Sequence, residues 1–156
     1  LNGVTFSTAQ NQSLELSVGV NRLDYLIGVG VTNHWNKIEL RSSFELGVGT
    51  TFVQGRLNPR IGVGASYLPL NRDRIVLGPT VAYAYSYVQV NKVEHSYHHW
   101  HEFLIGYSFQ YGDKWCIVHR GMGSVMNQRF KGQASGTSNG FTNFGFYAQL
   151  GLKCSF

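Results

Sequence analysis

Residues 37–53 alternate with a period of two over 17 positions. Ile38, Leu40, Ser42, Phe44, Leu46, Val48, Thr50 and Phe52 fall on one side. Lys37, Glu39, Arg41, Ser43, Glu45, Gly47, Gly49 and Thr51 fall on the other. Successive side chains of a strand point to opposite faces, so this segment makes one bulky face and one small or charged face. On a helix the same apolar residues would be spread around the whole circumference. The chain must therefore build a sheet whose two faces differ in chemistry.

The pattern recurs over 13–20, 25–33, 56–68, 75–88, 101–111 and 141–156, and less cleanly over 114–127. Turn-forming clusters separate these segments: Asn21-Arg22-Leu23-Asp24, 33–36, Gln54-Gly55, Asn71-Arg72-Asp73, Gly112-Asp113 and the Gly/Ser-rich 131–140. The reading is eight antiparallel strands in a single domain over 1–156, with 1–12 a short lead-in. No linker, fixed-period repeat or second domain is visible. Hydrophobic residues make up 43% and aromatic residues 14%, against 13% charged. That balance excludes a disordered chain and a charged helix bundle. No uncharged apolar run approaches the roughly 18 residues a membrane helix needs.

Eight alternating strands close either as a soluble barrel, apolar face inward, or as a membrane barrel, apolar face outward. Size decides between them. An eight-stranded barrel has an interior just wide enough for side chains. Here the apolar faces carry Tyr83, Tyr85 and Tyr87 on one strand and Phe103, Tyr107, Phe109 and Tyr111 on another. The opposite faces are mostly Gly, Ala, Ser and Thr with scattered charges. The small face belongs inside and the bulky face in lipid. Tyr83, Tyr85 and Tyr87 approach one end of their strand, while Tyr107, Phe109, Tyr111 and Trp115 flank the Gly112-Asp113 turn at the other. Aromatic girdles at both interfaces are expected of a lipid-facing band.

The chain ends Leu150-Gly151-Leu152-Lys153-Cys154-Ser155-Phe156. This resembles the terminal strand of bacterial outer-membrane proteins, which closes on Phe with apolar residues at alternate positions. The resemblance implies recognition by the barrel assembly machinery. Over its whole length the chain is similar in architecture to the small barrels typified by outer-membrane proteins A, X and W. It implies an eight-stranded antiparallel transmembrane β-barrel in the outer membrane, in contact with its lipid, with both termini periplasmic. Short turns near 34–36, 71–73 and 112–113 then face the periplasm. The connections near 89–99 and 131–140 are expected as longer outer loops.

Several constellations are candidates for function. Glu15, Lys37, Glu39, Arg41, Glu45, Arg56, Arg60 and Glu102 all fall on inward faces, in near charge balance. Buried charge must be paired, so the expectation is a lumen ion-pair network that plugs the barrel; a narrow ion path is the competing reading. His99 and His101 share a strand face beside His95, His98 and Trp100. Their spacing permits metal chelation, but the expectation is interfacial histidines, with no metal and no cofactor. Over 114–127, placing Arg120 inward leaves His119, Gly121 and Gly123 on the lipid side, a groove where a neighbouring protein can pack closely. Cys116 then points inward and Cys154 outward, which disfavours a disulfide. Two lipid A-modifying enzyme families share this architecture, and resemblance to them would imply an amphipathic N-terminal helix for the one and, for the other, a His and Ser two apart with an acid partner, all facing lipid. His95 and Ser96 are adjacent and point to opposite faces. The net charge of +5 comes without a long basic cluster, so nucleic acid is not expected. The sequence thus points to a non-enzymatic barrel, either an accessory subunit of a larger outer-membrane complex or a stand-alone barrel for surface binding or solute passage.

Overall fold

The computed structural model describes residues 11–48, 57–72, 74–91, 96–131 and 138–156. The strands are β1 (Asn11–Asn21), β2 (Tyr25–Trp35), β3 (Ile38–Val48), β4 (Asn58–Tyr67), β5 (Leu70–Arg72), β6 (Ile75–Asn91), β7 (Ser96–Gly112), β8 (Trp115–Lys131) and β9 (Ser138–Ser155). Neighbours in sequence pair antiparallel except β4 and β5, which both pair with β6, and β1 pairs with β9. The β4–β6 ladder closes the sheet on itself. β4 and β5 form one barrel strand, so the closed barrel has eight.

The break between β4 and β5 accounts for a proline. Ser66 pairs with Thr80 and Leu70 with Leu77, so four steps on one strand face three on the other. That is a β-bulge. Pro79 sits opposite it, where the ladder is interrupted and no amide hydrogen is required of it. Pro59 stands one residue outside the described β4–β6 ladder, which starts at Arg60 and Ser86.

Turn chemistry fixes the hairpins. Asn36 adopts φ 56° in the two-residue connection from Trp35 to Ile38, a conformation Asn tolerates better than most residues. Gly112 has φ 134° at the β7–β8 turn, where only glycine is comfortable. The C-terminal strand is tied down at its end, with Phe156 N donating to the Gln12 carbonyl at 3.0 Å. Both terminal strands therefore begin and finish at the same end of the barrel.

Exposure alternates as the sequence requires. Leu14, Leu16 and Val18 of β1 point outward, and Ser13, Glu15 and Ser17 are buried. Ile105 is 70% exposed and Phe144 80%, while Glu15 is fully buried. An apolar wall that encircles the molecule far exceeds the patches a water-soluble monomer carries. At the end holding the termini, Trp35, Tyr67, Tyr111, Trp115 and Phe156 are exposed. Tyr25, Tyr87, Phe141 and Phe144 ring the other end. These are the two aromatic girdles of a lipid-facing band.

The long outer loop expected near 89–99 is mostly strand, and the one expected near 131–140 is strand at both of its ends. β6 runs to Asn91 and β7 starts at Ser96; β8 runs to Lys131 and β9 starts at Ser138. The connecting residues 92–95 and 132–137 lie outside the described residues, as do 1–10 of the lead-in and 54–55. Beyond the lipid band both faces of a strand meet polar surroundings, so the alternation fades there while the ladder continues.

Candidate functional site: the sealed lumen and the outer wall

β8 places Arg120 in the lumen, with Cys116, Val118, Met122, Ser124 and Met126 on the same inward face. The Arg120 guanidinium grips Glu15 with both ends, at 2.7 Å to Oε1 and 2.9 Å to Oε2. It also donates to Glu39 Oε1 at 3.2 Å and Gln149 Oε1 at 3.0 Å. A planar fork suits a carboxylate in this way, and the bidentate pair fixes both partners. Lys153 donates to Glu39 Oε2 at 2.9 Å and to Gln110 Oε1, with His34 Nε2 3.2 Å away. Gln110 Nε2 and His34 Nε2 contact the same Glu39 oxygen at 2.8 and 3.0 Å.

A second group lies further along the axis. Arg60 pairs with Glu45 and, at 2.9 Å, with Glu102 Oε2. Its guanidinium carbon stands 4.8 Å over the Tyr147 ring. Tyr147 donates its hydroxyl to Glu45 Oε1 at 2.8 Å. Arg41 links the groups, 3.3 Å from Glu15 Oε1 and 3.6 Å from Glu45 Oε1. Gln149 Nε2 donates to Ser17 Oγ at 2.7 Å. Glu15, Glu39, Glu45 and Glu102 thus face Arg41, Arg60, Arg120 and Lys153, four charges of each sign among the described residues.

Toward the far end the lumen is filled differently. Leu26, Ala84, Leu104, Met122 and Tyr147 form one buried cluster, and Leu23, Trp100 and Met126 form another. The inward face is therefore not uniformly small or charged. The void beside Arg41, Arg60 and Tyr147 is about 20 Å³, room for about one water. The β1–β2 turn caps this end: Asp24 is buried and accepts from Asn58 Nδ2 at 2.8 Å. Burial pushes the Asp24 carboxyl above its ordinary range, against the opposing pull of Asn58 and Arg60.

The sequence placed Glu15, Glu39, Arg41, Glu45, Arg60 and Glu102 inward, and the structure brings them into one connected cluster. Lys37 is a correction: it sits exposed in the β2–β3 turn, because the pairing of Trp35 with Ile38 ends the strand before it. Arg56 lies outside the described residues. Arg120 and Lys153 join the cluster although neither was in the expected ion-pair set. Strand parity was their signal, and equally that of His34, Gln110, Tyr147 and Gln149.

On the outer wall, β6, β7 and β8 carry three Tyr–His pairs. Tyr83 bonds His101 Nδ1 at 2.7 Å, Tyr85 bonds His99 Nδ1 at 2.8 Å, and Tyr107 approaches His119 Nδ1 at 3.2 Å. No group of three metal-ligating side chains occurs among the described residues. His119, Gly121 and Gly123 all face outward, but the groove expected over them is partly filled. A Cβ on Gly121 would lie 2.8 Å from the Tyr107 ring, which covers that glycine from the neighbouring strand. At Gly123 a Cβ would meet nothing within 4 Å. Cys116 and Cys154 are free thiols on opposite faces, Cys116 buried and Cys154 half-buried.

Against solved structures, the chain matches the N-terminal β-barrel domain of Pseudomonas aeruginosa OprF with a TM-score of 0.63 at 12% identity, covering 94% of this chain and 97% of that one. The fold is that of the small outer-membrane barrels. A major outer membrane protein from Thermus thermophilus matches with a TM-score of 0.59 at 10% identity, covering 95% and 100% of the two chains. Neisserial surface protein A matches with a TM-score of 0.58 at 10% identity, covering 94% and 97%. No family model and no curated protein matches the sequence. The architecture is thus shared at a level of identity that says nothing about activity.

Proposed function

We propose that the protein is a non-enzymatic barrel of a bacterial outer membrane, with periplasmic termini, that serves as an accessory subunit of a larger outer-membrane assembly. The observation that carries this reading is the closed lumen. Among the described residues four acidic and four basic side chains interlock across it, and two apolar clusters pack the lumen beyond them. A barrel with no passage acts through its outer surface. Among the described outward histidines, His99, His101 and His119 take tyrosine hydroxyls on Nδ1 rather than serine or carboxylate partners.

The stretch of wall that favours a protein neighbour is on β8. Strands rise about 3.3 Å per residue and tilt about 40°, which gives about 2.5 Å per residue along the barrel axis. His119 is then about 10 Å above Trp115, and Gly123 about 20 Å, both within the lipid band. An imidazole at that depth gains from a polar partner, and the bare backbone at Gly123 permits close approach. A photo-reactive benzoylphenylalanine at position 123 should give one discrete adduct in whole cells, and the same probe at Val63 none. Protein that runs as a lone monomer in native mass spectrometry after gentle extraction, with no adduct at 123, would overturn the accessory role in favour of a stand-alone barrel.

A further inference from the structure

On β8 the apolar band ends at Val125, about 25 Å above Trp115. The next outward residues are Asn127 and Arg129. Their direct neighbours on β7 are His101 and His99, and the neighbours of these on β6 are Tyr85 and Tyr87. Polar chemistry therefore begins on three adjacent strands at the height where hydrocarbon gives way to headgroups.

The rings interleave. Tyr85 lies 5.2 Å from His101 between centroids, and Tyr87 lies 5.2 Å from His99. Tyr83 and Tyr85 hydroxyls occupy the Nδ1 atoms of His101 and His99. With each hydroxyl donating, the proton of the neutral imidazole sits on Nε2. The two rings then present N–H donors, held by the tyrosines rather than free to rotate. Arg129 is exposed and directly opposite His99, adding a guanidinium fork beside them. Among the described residues every carboxylate is elsewhere. Glu15, Glu39, Glu45 and Glu102 are in the lumen, Asp24 is buried in the β1–β2 turn, and Asp113 is at the opposite end with Arg74. Among the described residues the patch offers donors and positive charge with no competing anion.

We infer that His99, His101 and Arg129 bind the phosphate of an anionic lipid headgroup in the leaflet at the end of the barrel away from the termini. The acyl chains of that lipid run down the wall over Phe103, Val125 and Phe144, which are exposed just beneath. A guanidinium fork matches two phosphate oxygens, and an imidazole N–H takes a third. This inference does not rest on the accessory role proposed above.

The test uses the purified full chain in dodecyl maltoside micelles doped with phosphatidic acid or with phosphatidylcholine, read by native mass spectrometry. The wild type should retain phosphatidic acid in preference to phosphatidylcholine. Arg129→Gln should lower phosphatidic acid retention about ten-fold, the usual scale for losing charge-assisted hydrogen bonds, and Arg129→Lys by less. Arg74→Gln, which removes a positive charge at the other end, should leave retention unchanged. Circular dichroism confirms that each variant is folded. Equal losses for Arg129→Gln and Arg74→Gln would overturn the inference. So would complete displacement of the lipid by millimolar inorganic phosphate, which would make this a site for the free anion.

Discussion

Replacing Arg120 with methionine keeps most of the side-chain length and deletes its charge. The change removes two bonds to Glu15, at 2.7 and 2.9 Å, one to Glu39 at 3.2 Å and one to Gln149 at 3.0 Å. The lumen is left with four carboxylates against Arg41, Arg60 and Lys153. Glu15 keeps Arg41 at 3.3 Å, a single and longer contact. Removing one member of a buried pair costs about 3–5 kcal/mol, because the other charge stays desolvated. With a urea dependence of about 2 kcal/mol per molar, the midpoint should fall by about 1.5–2.5 M. The assay is urea unfolding and refolding in phospholipid vesicles, followed by tryptophan fluorescence. The double variant Arg120→Met/Glu15→Gln removes both charges and should recover to within about 1 kcal/mol of the wild type. The reasoning fails if Arg120→Met alone costs less than about 1 kcal/mol, or if the double variant is as unstable as the sum of the two singles.

Three further outcomes follow from the same geometry. In planar bilayers the purified protein should give no stable conductance above background, since ion pairs and apolar clusters close the lumen; steady openings would mean that the plug leaks. The unreduced, denatured chain should titrate two free thiols, and in the folded protein a lipid-soluble maleimide should label outward Cys154 before buried Cys116; a count of zero thiols would show the pair bonded. The folded-state pKa of Asp24 is raised, so its contribution to stability is full below 3.8 and is lost as pH rises through the folded value. Asp24→Asn, whose side-chain oxygen still accepts from Asn58, should therefore raise the urea midpoint at pH 7 and leave it unchanged near pH 3, and an equal shift at both would contradict the burial argument.

The barrel and the sidedness of its strands were legible because alternation is geometric. Ile38 to Val48 reads the same way in the chain as on the wall, with Glu39 and Glu45 inside and Leu40 and Phe44 outside. Strand β8 was harder because its two faces invert the usual contrast. Val118, Met122 and Met126 point inward to fill the lumen, while His119, Gly121 and Gly123 face lipid. Only the cost of Arg120 in hydrocarbon chose the register. Parity misplaced Lys37 because a strand ends where its partner turns, and the two-residue turn at Asn36 is a property of the pairing rather than of the pattern. Tyr107 over Gly121 could not be foreseen from either strand alone. It follows from a cross-strand register that sets residues 107 and 121 side by side. The same holds for the Tyr–His ladder, which follows from the register that sets Tyr85 beside His101 and Tyr87 beside His99, the last of these in what was expected to be loop.

The bulky face meets lipid and the charged face meets the lumen. Nitroxide labels placed singly at residues 13–18 of β1 in phospholipid vesicles test it directly, through collision with oxygen and with a water-soluble nickel chelate. Accessibility should show a period of two, with oxygen collisions highest at Leu14, Leu16 and Val18 and both reagents nearly excluded at Ser13, Glu15 and Ser17. High nickel accessibility at Leu14, Leu16 and Val18 would contradict it, because those side chains would then be facing water.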